Sequence, residues 1–83
     1  MERGISGYDV LADAIVVQAA KDYMHWLKVL KRTRYASVKM DAKIKIDELE
    51  EFFNSGYYEL LADVPGEYII ERLKREVEKW LSH

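Results

Sequence analysis

The sequence predicts an all-α protein, a small helical bundle of three main helices plus one short helix, folded as a single domain over residues 1–83. Three observations predict it. Apolar residues recur at helical spacing over three long stretches. The breaks between those stretches carry helix stop and start signals, Asn54-Ser55-Gly56 and Asp63-Val64-Pro65. An 83-residue chain that is 49% apolar and 34% charged has the balance of one globular domain rather than a disordered segment.

The first helix is read over about residues 8–32. Ser6 and Asp9 stand at capping-box spacing, with Asp in place of the usual Glu or Gln, and Asp9 and Asp13 suit the positive end of the helix dipole. Leu11, Ile15, Ala19, Tyr23, Trp26, Leu27 and Leu30 form its main apolar stripe, and Val10, Ala14, Val17 and Met24 form a second one. A helix apolar on more than one face needs cover on more than one face. So short a chain has little to offer, which predicts a homo-oligomer in which another copy supplies part of the cover.

Thr33 to Val38 reads as a connector. A second helix follows over about Met40–Asn54, with Ala42, Ile46, Leu49, Phe52 and Phe53 on its apolar face. Lys43–Ile46 alternates polar and apolar, so a short strand competes there; the helix formers from Asp47 onward favour the helix, and Lys43 and Asp47 stand at i, i+4. Gly56 is expected to supply the left-handed residue that ends this helix. Tyr57–Ala62 reads as a short helix capped by Ser55. The last helix is expected over about Pro65–Leu81, with Ile69, Ile70, Leu73, Val77, Trp80 and Leu81 inward and Glu71 paired with Arg75.

Charge is unevenly spread. The net formal charge is only −2, yet residues 21–45 hold eight basic residues against two acids, and residues 46–67 hold seven acids and no base. Lys21, His25, Lys28 and Arg32 share one face of the first helix, and Tyr35 and Lys39 follow closely. Such a face can hold the phosphates of a nucleotide or a nucleic acid; a solvated helix face is the plainer account. Glu48 and Glu51 belong to the acidic block, which could imitate a phosphate backbone towards a protein partner or simply aid solubility. Tyr57 and Tyr58 could anchor such a partner or belong to the core. Gln18 and Asp22 stand at i, i+4 beside the apolar stripe and can hydrogen-bond to each other.

Little points to catalysis. His25 and His83 lie at no metal-ligand spacing, the serines fall near predicted helix ends, and no glycine-rich phosphate loop occurs. No catalytic residue, metal or cofactor is therefore predicted. With no cysteine, disulfides and thiolate zinc sites are excluded, which fits a reducing cytoplasm. The first residues lack a signal-peptide pattern and no apolar run is long enough to span a membrane, so the expected place is the host-cell cytoplasm.

Two patterns carry a resemblance. Asp9-x-x-Ala12-Asp13-Ala14-Ile15-Val16-x-Gln18-Ala19-x-x-Asp22-Tyr23 is one. The other is Phe52-Phe53-x-Ser55-x-x-x-x-Leu60-Leu61 followed by Asp63-x-x-Gly66-Glu67-Tyr68-Ile69-Ile70. Together they resemble small uncharacterised proteins of Firmicutes phages and prophages, over about Asp9 to Leu73. The chain departs from that pattern at Pro65, where the relatives carry Asp before the glycine, and at Tyr57-Tyr58, where they often carry Trp. The resemblance implies no activity of its own. Its context implies a non-enzymatic binding protein that inhibits bacterial antiviral defence, by binding a defence protein or sequestering a nucleotide signal. The alternative is a nucleic-acid-binding accessory protein of a phage replication or recombination module.

Overall fold

A computed structural model describes residues 7–82, with side chains from Ala12 onward. Four helices occur among them: α1 (Gly7–Arg32), α2 (Ala36–Phe53), α3 (Gly56–Leu61) and α4 (Gly66–Leu81). No strand occurs among the described residues. The predicted all-α bundle of three long helices and one short helix is what forms. The capping box at Ser6 and Asp9 lies outside the described residues.

Contacts along the helices fix their directions. The Tyr23 hydroxyl of α1 donates to Glu50 Oε2 of α2 at 2.7 Å. The start of α4 at Gly66 lies against the Phe53 carbonyl at the end of α2. Lys28 and Arg32, at the end of α1, reach Trp80 at the end of α4. Hence α1 and α4 run the same way and pack on each other, α2 runs antiparallel to both, and α3 closes the end where α1 begins. Tyr23, Leu27, Ile46, Phe53, Tyr58, Ile70, Leu73 and Val77 make up most of the core. Edge-on aromatic pairs knit α1, α2 and α3 together: Tyr23–Phe53 at 5.9 Å between ring centroids and Phe53–Tyr58 at 5.5 Å.

The molecule measures 51 × 27 × 19 Å. Those are extents between Cα atoms, and α1 keeps an uncovered face that carries Asp13, Ala14, Val17, Gln18, Lys21 and His25. The second stripe of α1 shows the consequence: Met24 is half-buried against the core, whereas Ala14 and Val17 are exposed.

Boundaries depart from the sequence reading at the turns. The connector after α1 is only Thr33–Tyr35, because α2 begins at Ala36 rather than Met40. Tyr35 is the N-cap, in extended conformation and without a side-chain cap bond. The turn is held instead by Thr33, whose Oγ1 accepts the Tyr35 N–H at 3.3 Å. With no Ser, Thr, Asp or Asn at the cap, the sequence carries no start signal at that place. The strand considered at Lys43–Ile46 is helix throughout.

Gly56 does not end α2 in a left-handed conformation; no described residue has positive φ. Asn54 caps α2, its Nδ2 donating to the Glu50 carbonyl at 3.0 Å, and Gly56 opens α3. Ser55 caps α3 as expected, accepting the Tyr58 N–H at 3.1 Å. Its own hydroxyl donates back to the Phe52 carbonyl at 2.6 Å, so one side chain closes α2 and opens α3. Pro65 is the N-cap of α4 rather than its first helical residue. The ion pairs read at Lys43–Asp47 and Glu71–Arg75 are not among those of the described residues, where Lys45–Glu48 (3.8 Å) and Lys79–Glu76 (3.8 Å) occur instead.

Candidate functional site: a basic and aromatic end

Antiparallel packing converts the charge blocks of the sequence into two ends. Where α1 and α4 finish and α2 begins, Lys28, Lys31, Arg32, Arg34 and Lys39 gather. Cations are favoured there, because α1 and α4 both end at that place with the negative end of the helix dipole, and each carries a basic residue in its last turn. At the opposite end lie the start of α1, the end of α2, α3 and the start of α4, bearing Asp13, Glu51, Glu59, Asp63 and Glu67.

The most organised feature at the basic end is Trp80. The sequence marks it only as one of the inward residues at the end of α4, yet the residue is 41% exposed. Lys28 Nζ sits 4.4 Å from the ring centroid and Arg32 Cζ 5.2 Å from it. Both cations approach the ring quadrupole, and the guanidinium can stack as well as attract. Two residues of the predicted basic face are thus drawn together on an aromatic platform that sequence reasoning assigned to the core. The signal that could have found Trp80 is its place at the outer end of the stripe, one turn beyond Val77, where cover runs out.

The other predicted residues fall into three groups. Lys21 and His25 share the exposed face of α1 with Lys28 and Arg32, and the His25 ring lies edge-on to Trp26 at 5.0 Å. Tyr35 and Lys39 are exposed at the same end of the molecule, on the turn into α2 and its first turn. Glu48, Glu51 and Tyr57 are exposed as a partner-contacting set would need, although Glu48 pairs with Lys45 of its own helix and Tyr57 leans edge-on against Phe52.

Tyr58 is a correction. It is 1% exposed, packed against Phe52 and Phe53, and so is a core residue with no surface to offer a partner. Three positions along, Leu61 faces half-inward, so the inner side of α3 is Tyr58 and Leu61, and the outer side is Tyr57 and Leu60. Gln18 Nε2 donates to Asp22 Oδ1 at 2.9 Å, as the spacing predicts. That pair borders an open groove between α1 and α2 floored by Ile15, Ala19, Leu49 and Phe52.

Among the described residues no group of three or more His, Cys, Asp or Glu side chains could hold a metal ion. No helix among them is long and apolar enough to cross a membrane. No protein-family model, curated protein or solved structure matches the chain.

Proposed function

We propose that this chain is a non-enzymatic binding protein, acting as a homo-oligomer in the host-cell cytoplasm. In this reading it inhibits a bacterial antiviral defence by binding a defence protein or sequestering a nucleotide signal. The observation that carries the binding part is the convergence of Lys28 and Arg32 on the ring of part-exposed Trp80. An indole face is a stacking surface for a base, and two cations beside it are placed to receive phosphate oxygens once a base takes their position on the ring. The defence context is supported by the resemblance of the sequence to small phage proteins.

Calorimetric titration with mono-, di- and cyclic oligonucleotides tests the ligand. The Trp80→Ala variant and the double variant Lys28→Glu/Arg32→Glu are each expected to weaken binding at least about tenfold, roughly the loss of one charge-assisted contact. The proposal is lost if the wild-type protein binds neither nucleotides nor any host protein and leaves defence intact in cells.

A second reading rests on the rest of that surface. Lys21 and His25 extend the exposed basic face along α1, and Tyr35 and Lys39 continue it around the turn into α2. A strip of this length suits several successive phosphates better than one nucleotide. It would make the chain a nucleic-acid-binding accessory protein of a phage replication or recombination module. Binding to DNA or RNA that falls steeply with added salt, and vanishes in Lys28→Glu/Arg32→Glu, would support it. Affinity unchanged by that charge reversal removes it.

A further inference from the structure

The ten large apolar residues that stay exposed among the described residues are not scattered. Val17, Tyr57, Leu60, Val64 and Tyr68 lie towards the acidic end, and Tyr35, Met40, Ile44, Trp80 and Leu81 towards the basic end. At the acidic end, Val17 (50% exposed), Leu60 (74%) and Val64 line an open groove of about 650 Å³ between α1 and the α3–α4 turn. Ala12, Val16 and Leu61 continue its apolar floor, and Asp13 and Asp63 stand on its rim. No basic residue occurs between positions 46 and 71, so the α3 side of this groove carries acids alone.

An exposed apolar ridge lies on the same molecule. On α2, Ala42 and Ile46 are buried one turn apart and face the core. Met40 (65% exposed) and Ile44 (51%) are also one turn apart, on the side of the helix turned away from that core. Lys39 and Lys43 follow the same spacing beside them, both exposed. The first half of α2 therefore presents an amphipathic ridge: two apolar side chains in line, with Lys39 and Lys43 along one flank and Asp41 and Lys45 along the other, where Lys45 is drawn to Glu48 at 3.8 Å. Lysine stems are themselves apolar, so the ridge buries well against an apolar floor while its charges reach a carboxylate rim.

We propose that the acidic groove of one copy, built by Val17, Leu60 and Val64 with Asp13 and Asp63, receives the α2 ridge of a second copy, built by Met40 and Ile44 with Lys39 and Lys43. The inference rests on the homo-oligomer part of the functional reading and names its surfaces. Groove and ridge are different patches, so the contact is heterologous. It repeats head to tail and ends only when a ring closes. A two-fold arrangement of groove on groove would instead set Asp13 and Asp63 against their own copies, which like-charge repulsion opposes. Lys28, Arg32 and Trp80 take no part in this contact.

Because the contact has two different halves, it can be tested by mixing. Leu60→Glu spoils the groove and leaves the ridge; Ile44→Glu spoils the ridge and leaves the groove. Both side chains are at least half exposed, so each variant is expected to fold, with the helical circular-dichroism spectrum and melting temperature of the wild type as the check. In sedimentation velocity the wild type is expected to form species larger than a dimer as concentration rises. Each variant alone is expected to self-associate at least about tenfold more weakly, the effect of placing a charge in a desolvated apolar contact. An equimolar mixture of the two variants should regain association and stop at one-to-one dimers, since one intact groove meets one intact ridge and nothing remains to extend it. Added salt should weaken the wild-type assembly. A wild-type monomer at high concentration overturns both this inference and the homo-oligomer reading. A wild-type oligomer that neither variant disturbs, or a mixture that stays monomeric, overturns the groove-and-ridge contact alone.

Discussion

Tyr23 and Tyr58 are both buried in the same aromatic cluster, both touching Phe53, and yet they hold the molecule in different ways. Tyr23 sits at the waist, where its hydroxyl donates to Glu50 and Glu50 in turn lies 3.9 Å from Lys74 Nζ. One chain of polar contacts thereby ties α1, α2 and α4 around a residue with no exposed surface. Tyr58 sits at the acidic end, and its hydroxyl is buried with no hydrogen-bond partner. The waist is specified by a polar chain that starts at buried Tyr23 and runs out through half-buried Glu50 to Lys74 at the surface. The α3 end is specified by aromatic packing and a close backbone approach, and it carries one unsatisfied polar group.

The largest expected effect tests the backbone approach at that end. A Cβ at Gly66 would press into the Phe53 carbonyl oxygen and stand 2.7 Å from its carbon. Backbone cannot swing aside as a flexible side chain can, so Gly66→Ala must move the start of α4 away from the end of α2. We expect a loss on the order of 3 kcal/mol or more in chemical denaturation, at the upper end of what overpacking costs. A variant as stable as the wild type would mean that α4 does not enter against Phe53.

The next effect tests the waist. Tyr23→Phe keeps the ring and removes the donor, leaving half-buried Glu50 with Lys74 alone. A loss of about 1–2 kcal/mol is expected, typical of a broken bond to a charged acceptor. The same contact predicts an alkaline limit. The Tyr23 hydroxyl is held far above the ordinary tyrosine value of 10.0, first by burial, then by its bond to Glu50 and by the charges of Glu50 and Glu71. Burial alone raises Tyr58. The fold favours the protonated hydroxyl in both, so their contribution is complete below the unfolded value. It declines as pH rises above about 10, where the unfolded chain ionises first. Melting temperatures measured from about pH 8 upward should fall beyond that point, and Tyr23→Phe should blunt the fall more than Tyr58→Phe does. Equal blunting would erase the distinction between the two regions.

Tyr58→Phe is expected to act in the opposite direction to Tyr23→Phe. It removes a buried hydroxyl that has no partner and keeps the edge-on packing with Phe52 and Phe53, for a gain of about 1 kcal/mol. A loss of stability would show that the hydroxyl is satisfied in solution, and the contrast with Tyr23 would then reduce to which partner each one finds.

What the sequence made legible follows the same division. Helical spacing identified the faces of α1, α2 and α4, because a buried stripe such as Ile70, Leu73 and Val77 leaves a 3.6-residue period in the chain. The blocks of charge were plain, but their gathering into two ends depends on α2 running back along α1, which no local pattern states. Trp80 was read as core because periodicity counts positions and cannot tell where the neighbouring helix stops. Tyr57 and Tyr58 were read as a pair, yet adjacent residues on a helix point about 100° apart, so one faces out and the other becomes core. The start of α2 was missed because Tyr35 caps it through backbone conformation alone.

The smallest effect concerns Gly56, the glycine whose role the sequence suggests and the fold does not use. A glycine after Asn-Ser at a helix end invites the left-handed assignment, under which any Cβ would strain the backbone. Here Gly56 is the first residue of α3, its φ is not positive, and a Cβ would meet nothing within 4 Å. Gly56→Ala should therefore stabilise by about 0.4–1 kcal/mol, because alanine has fewer unfolded conformations to lose and needs no strain to fit. Set beside Gly66→Ala, it separates two glycines ten residues apart in the sequence: one is required by the closeness of another backbone, the other by nothing in the fold. A destabilised Gly56→Ala would restore the left-handed reading and move the end of α2 back to where the sequence alone puts it.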